Sequence, residues 1–256
     1  MCAFGTVKGT KSGSVVANPL KRALRPAVPR IRAVRYAGRG RECPCCGRQF
    51  RRFRATGQPR RPDAACPYCN SVERHRLLTL LIRAEPDLVA GRVLHFAAEP
   101  ALSRLIRPHA AEYVTTDLSA DSDVTADIVD LPFPDGRWDA VVCSHVLEHV
   151  PDDAQAIREL RRVLAPEGNA IILVPRRTGA PTDEDPTVVD PAAREQRFGQ
   201  HDHVRMYGDD LEERLHSNGF AHLRRVGPDD FTPEQVQRHR LRPINAGAED
   251  VLLICR

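Results

Sequence analysis

The sequence predicts an α/β domain, a mostly parallel sheet with helices on both faces, preceded by a small cysteine-bearing module. Three observations carry that prediction. From Gly91 onward, short apolar runs of strand length alternate with amphipathic runs of helix length, the pattern of strands joined by helical crossovers. Within it, Asp123 to Val150 (DVTADIVDLPFPDGRWDAVVCSHVLEHV) holds a Val-rich strand that exits abruptly into Ser144-His145. Polar side chains delivered at the carboxyl end of a buried parallel strand are where open α/β sheets hold ligands. Finally, five of the eight cysteines cluster between Cys43 and Cys69. At 256 residues the chain has room for one large domain and one small appendage.

The first 40 residues hold Gly, Ser, Pro, Lys and Arg without periodicity and read as a basic tail. Residues 1–42 contain ten Lys or Arg and one acid, Glu42, although the whole chain carries only +4. Three uses fit such a segment: a disordered solvated tail, an arm for nucleic acid or anionic lipid, or an Arg-rich transit peptide. It has no apolar core of the kind an export signal needs, and no apolar run in the chain is long enough to cross a bilayer. The expected location is the cytoplasm, a reducing compartment that suits clustered thiols better than a disulfide framework.

Residues 41–72 form the cysteine module. CPCCG at Cys43 to Gly47 and CPYCN at Cys66 to Asn70 are two C-x-x-C knuckles with nineteen residues between them. Each brings two soft ligands on one tight turn, and together they supply the four that a tetrahedral zinc ion takes. Gly47 and Asn70 follow the second cysteine of each pair, where a positive φ is needed. The pattern resembles a zinc ribbon, with structural zinc held by Cys43, Cys46, Cys66 and Cys69 and with Cys45 as the misfit. Six arginines interleaved with Phe50 and Phe53 suit RNA through phosphate contact and base stacking; a solvated basic face over two packed rings is the alternative.

The main domain follows in order. Val72 to Arg83 has Leu77, Leu78, Leu81 and Ile82 at helical spacing, and Pro86 stops it. Then come a strand at Arg92 to Phe96, a helix at Ala101 to Arg107, and strands at Glu112 to Thr116, Val124 to Ala126 and Trp138 to Cys143. Pro151-Asp152 opens a helix to Leu164 with Ala156, Ile157, Leu160 and Val163 on one face. A strand at Asn169 to Val174 precedes the polar stretch 176–207, which lacks regular periodicity. A helix at Asp209 to Ser217 and strands at Phe220 to Val226 and Asp250 to Cys255 finish the chain, the last two joined by a loop from Gly227 to Ala248. Cys143 and Cys255 lie in apolar runs and are expected as small buried hydrophobes.

LPFPDGRWDAVVCSHVLEHVPDDAQAIRELRRVLAPEGNAIILVP resembles the later motifs of class I S-adenosylmethionine-dependent methyltransferases, of the type 11 family, and the resemblance runs from about Gly91 to Leu173. With the two knuckles and the DHVRMYG stretch, the chain resembles a subgroup bearing an N-terminal zinc ribbon. The resemblance implies a Rossmann-like seven-stranded methyltransferase sheet over residues 73–256, finished by an antiparallel strand pair, with the 176–207 insertion over the acceptor pocket. The cofactor the resemblance implies is S-adenosylmethionine. Asp117, ending a strand about twenty residues after the first turn, is expected to accept both ribose hydroxyls. Asp127 and Ile128 would hold the adenine edge and face. The first turn, Val93 to Pro100, departs from the family: it has no glycine, and His95 stands where an acid is usual. His95, Ala97, Glu99 and His145 complete the expected cofactor contacts.

Methyl transfer is an in-line displacement in which alignment supplies much of the rate, and a base is needed only if the acceptor must lose a proton early. His145 is the candidate base, with a positioning role as the alternative. Glu184, Asp185, His203, Arg205 and Tyr207 are candidate acceptor contacts; Arg205 and Tyr207 suit an anionic group, and the H-x-H pair His201 and His203 suits a metal. The leading function is methyl transfer to a small-molecule or glycan-like acceptor. RNA methylation through the basic ribbon, and a scaffold that has lost the cofactor, are the alternatives.

Overall fold

Residues 27–57, 60–242 and 248–256 are described by a computed structural model, and they begin with a helix, Ala27–Arg35, where the sequence suggested only a tail. Residues 1–26 lie outside the described part, and the tail expectation for them stays with the sequence. The helix leads into β1 (Ala37–Cys43), which pairs antiparallel with β2 (Arg48–Phe50); β3 (Arg54–Thr56) and β4 (Arg61–Ala65) make a second hairpin. The ribbon therefore starts before residue 41. Its first knuckle turns between β1 and β2 and its second follows β4, and Gly47 and Asn70 adopt φ of +69° and +62°. Phe50 and Phe53 are each 1% exposed and pack edge to face in the ribbon's own core. The expected base-stacking pair is thereby corrected: those rings hold a thirty-residue module together and offer no face to a base.

The helix Glu73–Ala84 joins ribbon to sheet, burying Leu77, Leu78, Leu81 and Ile82. The sheet itself consists of β5 (Gly91–Phe96), β6 (Ala110–Asp117), β7 (Val124–Thr125), β8 (Trp138–Ser144), β9 (Leu164–Arg176), β12 (Leu223–Val226) and β13 (Glu249–Cys255). Their spatial order is β12–β13–β9–β8–β5–β6–β7. The five strands β5 to β9 run parallel, while β13 pairs antiparallel with β9 and β12 antiparallel with β13. Alternate residues sort to opposite faces: Leu94, Val141 and Cys143 enter one core, Val93, Ala140 and Val142 the other. Both faces are covered, which is why these strands read as continuous apolar runs. Cys143 and Cys255 are both buried.

The 176–207 insertion is more regular than its sequence suggested. β10 (Asp183–Glu184) pairs with β11 (Arg205–Met206), and between them runs a helix, Pro191–Phe198. The Asp190 carboxylate accepts from the Ala193 N–H at 2.9 Å to cap it, and Gly199 ends it with φ of +92°. The closing loop also holds a helix, Pro233–His239, opened by a reciprocal Thr232 and Gln235 capping box.

Candidate functional site

The chain leaves β5 for one half of the sheet and returns at β8 for the other, so the carboxyl ends of these neighbours form the topological switch point. Two residues just past those ends, Ala97 (φ +45°) and His145 (φ +56°), adopt the left-handed backbone that side chains disfavour. Held strain of this sort, about 1–2 kcal/mol per residue, concentrates at functional turns. Ala97 thus makes the turn that glycine makes elsewhere, locked by its N–H donating to the Thr116 carbonyl at 2.9 Å. A missing glycine is no bar to a close backbone turn here.

Asp117 ends β6 at the same rim. One carboxylate oxygen accepts from the Ser119 N–H at 3.0 Å, and the side chain is partly open to solvent. Asp127 is exposed on the next loop, accepting from the Val129 N–H at 3.2 Å, while Ile128 packs in the core with little surface left for an adenine face. His95 is buried inside β5 with Nδ1 2.7 Å from the Tyr113 hydroxyl, and burial lowers its pKa to about 4. The contact expected from it to a cofactor is replaced by one within the sheet.

Glu99 is also engaged internally. Its carboxylate lies 2.9 Å from Arg74 Nη2 and 2.7 Å from His75 Nε2. The Val72 N–H donates to His75 Nδ1 at 3.0 Å, which fixes His75 as the neutral tautomer carrying its proton on Nε2 toward Glu99. Burial pushes the His75 pKa down, in keeping with that form. Burial alone would raise the Glu99 pKa, but His75 and Arg74 bring it down to about 2. A carboxyl depressed from 4.5 contributes stability that is complete above pH 4.5 and is lost as pH falls toward 2. At about 1.4 kcal/mol per unit, discounted for partial exposure, this is roughly 2 kcal/mol. Glu99→Gln should therefore lose about that much at pH 7 and converge with wild type below pH 2 to 3 in urea unfolding; a constant difference across pH would contradict the pairing.

His145 lies with Nδ1 3.1 Å from Glu148 and Nε2 3.2 Å from Asp250. Burial disfavours its charge, yet the two carboxylates raise its pKa to about 9. An imidazolium with both N–H groups facing acids has no lone pair for an acceptor's proton near neutrality, so the geometry corrects the general-base expectation to a positioning one. Asp250, which sequence reasoning missed, reaches the site because β13 runs antiparallel and brings its first residues beside the carboxyl ends of β8 and β9.

Arg205 and Tyr207 turn inward as well. Arg205 is 3% exposed; its guanidinium donates to the carbonyls of Leu147 (3.0 Å), Val150 and Pro151 (2.9 Å) and pairs with Glu184 at 3.1 Å. The Tyr207 hydroxyl donates to buried Asp153 at 2.9 Å. Glu184 also takes Arg214, and Asp185 accepts from Arg197 at 2.7 Å and from Thr187. Glu184, Arg205 and Tyr207 thus tie the insertion to the rest of the domain, and Asp185 ties it to itself. His203 is buried with its ring edge to face with His149 at 4.7 Å, while His201 is exposed.

In the ribbon, the sulfurs of Cys43, Cys46, Cys66 and Cys69 all lie within 4.8 Å of one another, with Cys43 to Cys69 at 3.6 Å and Cys46 to Cys66 at 3.8 Å. Zinc–sulfur bonds of about 2.3 Å in a tetrahedron put sulfurs about 3.8 Å apart. Ser71 Oγ stands 3.0 Å from Cys43 and 3.2 Å from Cys69, a supporting hydrogen-bond shell. Cys45 points away, to Thr79 at 3.2 Å. The donor set fits the zinc expectation.

Strand order and switch-point geometry together define the class I methyltransferase fold. Residues 91–172 match the family model described as a methyltransferase domain. The chain is similar to 2-phytyl-1,4-naphtoquinone methyltransferase of Synechococcus elongatus, 44% identical over 55 residues, 22% of this chain and 24% of that one. It is 48% identical over 48 residues to the chloroplastic tocopherol O-methyltransferase of Arabidopsis thaliana, 19% of this chain and 14% of the relative. The matched stretches span about a quarter or less of these relatives' lengths. In fold it resembles the YcgJ protein from Bacillus subtilis, with a TM-score of 0.50 and 18% identity over 71% of this chain and 97% of that one. Among the described residues, no helix is long and apolar enough to cross a membrane.

Proposed function

We propose that this chain is an S-adenosylmethionine-dependent methyltransferase acting on a small-molecule acceptor through oxygen. The observation that carries the proposal is the strained Ala97 turn beside the free Asp117 carboxylate at the switch point of a class I sheet. Asp117 would hold the ribose hydroxyls, and the Ala97-Ala98 backbone would approach the methionine part. Bound there, the cofactor supplies an electrophilic methyl carbon on a sulfonium. With the cofactor held there, an acceptor oxygen would displace the thioether in line, the carbon–sulfur bond breaking as the carbon–oxygen bond forms and the hydroxyl proton passing to water. His145 and Asp250, with Glu148 buried behind them, would shape the rim on which the acceptor must align, so proximity carries much of the acceleration. Similarity to a tocopherol O-methyltransferase supports oxygen as the accepting atom, and similarity to a naphthoquinone methyltransferase supports a quinone-like ring as acceptor class. In the ribbon, Cys43, Cys46, Cys66 and Cys69 would hold structural zinc.

Burial of Phe50 and Phe53 removes the stacking platform that favoured RNA. Calorimetry with S-adenosylmethionine tests the proposal: one site per chain at micromolar affinity is expected, about −8 kcal/mol. No heat and no competition by S-adenosylhomocysteine at millimolar concentration would leave only the scaffold function.

A further inference from the structure

Just past β8, Glu148 is 0% exposed, and neither of its carboxylate oxygens has a hydrogen-bond partner. His145 Nδ1 stands 3.1 Å from one of them without the alignment of a hydrogen bond. With that unaligned imidazolium as its neighbour and no aligned donor, a buried carboxylate stays costly unless a further cation meets it. The groups beside it are metal-ligand types. His203, 2% exposed, directs Nδ1 at the Phe198 carbonyl at 3.0 Å. A carbonyl can only accept, so Nδ1 carries the proton and the lone pair sits on Nε2, which is buried and unpartnered. Orientation of a ligating imidazole by a backbone carbonyl on its other nitrogen is the usual support for a metal-binding histidine. His149 packs edge to face against His203, with Nδ1 3.4 Å from Asp202. One donor atom from each of Glu148, His149 and His203 lies within 4.8 Å of the others.

The frame around these donors is built rather than incidental. Glu148 and His149 sit on the short turn Leu147–His149, and His203 comes from the insertion. The Val204 N–H donates to the Glu148 carbonyl at 3.0 Å, and Arg205 clamps the carbonyls of Leu147, Val150 and Pro151. We infer that Glu148, His149 and His203 bind a divalent transition-metal ion at the acceptor side of the domain. Two imidazoles and one carboxylate suit zinc, manganese or iron(II), and three protein ligands leave positions open for an exogenous oxygen. That oxygen would belong to the acceptor, whose hydroxyl the metal would bind and acidify, a role that rests on the methyltransferase proposal. The site itself needs no cofactor.

The test is metal stoichiometry in the full-length protein. With the ribbon first saturated by one equivalent of zinc, equilibrium dialysis against Zn²⁺ or Mn²⁺, read by elemental analysis, should give one further equivalent per chain. His149→Ala, at a partly exposed position, should keep its circular dichroism and weaken the second equivalent at least tenfold; Glu148→Gln should do the same. Uptake that stops at the ribbon's single equivalent for both ions would overturn the inference, as would a second equivalent indifferent to His149→Ala. Cofactor calorimetry on the same samples reports separately on the methyltransferase proposal, so the two can fail independently.

Discussion

Replacing Arg76 with Met is expected to destabilise the whole chain by about 3–5 kcal/mol, a large share of the 5–15 kcal/mol that a domain usually has. Arg76 lies on the helix Glu73–Ala84, fully buried. Its guanidinium donates to four carbonyls: Ala64 at 2.8 Å and Ser71 at 2.9 Å in the ribbon, His239 at 2.6 Å and Arg240 at 2.8 Å at the end of the closing helix. One side chain thus joins its own helix and the adjoining ribbon to a segment 163 residues further along the chain. Met fills much of the volume over the Phe53 ring, which the guanidinium covers at 4.5 Å, so the loss reports on hydrogen bonds and charge rather than on a cavity. Each buried acceptor left unmet costs about 1–3 kcal/mol, and the terms are not fully additive. The charge matters too. Four thiolates around a zinc ion would carry a net negative charge, and Arg76 is a buried cation near these cysteines. Urea unfolding measures the effect; a loss below 1 kcal/mol would mean that water replaces the guanidinium and that ribbon and sheet are joined by a wet seam.

The way Arg76 works shows where sequence reading reached and where it stopped. Period-two and period-3.6 patterns place every strand of the main sheet within a few residues, because burial on two faces writes itself into consecutive side chains such as Val141, Val142 and Cys143. The knuckles were legible for a similar reason: Gly47 and Asn70 mark local backbone needs, independent of the rest of the fold. The closing helix was missed although Thr232-Pro233-Glu234-Gln235 is a capping signature, since its body has too few apolar residues to show a face. The site proved harder. A sequence shows that Glu99, Arg205 and Tyr207 are polar and near the right strands, but whether they face a ligand or one another depends on partners remote in the chain. Arg205 finds carbonyls more than fifty residues away, and Glu99 finds Arg74 and His75 on a helix from the ribbon side. Asp250 could have been found: an acid opening a final antiparallel strand must lie at the rim where the parallel strands end.

Asp117→Ala is expected to weaken S-adenosylmethionine binding by two to three orders of magnitude while leaving stability within about 1 kcal/mol of wild type. The carboxylate ends β6 one strand from the Ala97 turn, and it accepts from a single backbone donor, the Ser119 N–H at 3.0 Å. A ribose diol brings two hydroxyl donors with the spacing of two carboxylate oxygens, and hydrogen bonds to a charged acceptor contribute about 1.5–3 kcal/mol each. Their joint loss, about 3–4 kcal/mol, converts to roughly 200- to 1000-fold in Kd. Asp117→Asn separates charge from geometry: the side chain keeps one oxygen, so one weakened hydrogen bond survives and the expected loss is about ten- to fiftyfold. Ser119 N–H lies on an exposed loop and can turn to water in either variant, which is why folding should be nearly indifferent. Calorimetry on the three proteins ranks them. Equal affinities would move the ribose away from β6 and with it the premise that this sheet uses its switch point as the cofactor floor; the predicted order would leave the strained Ala97 turn as the remaining determinant, since no other acid at that rim is as free as Asp117 among the described residues of β5, β6 and β8.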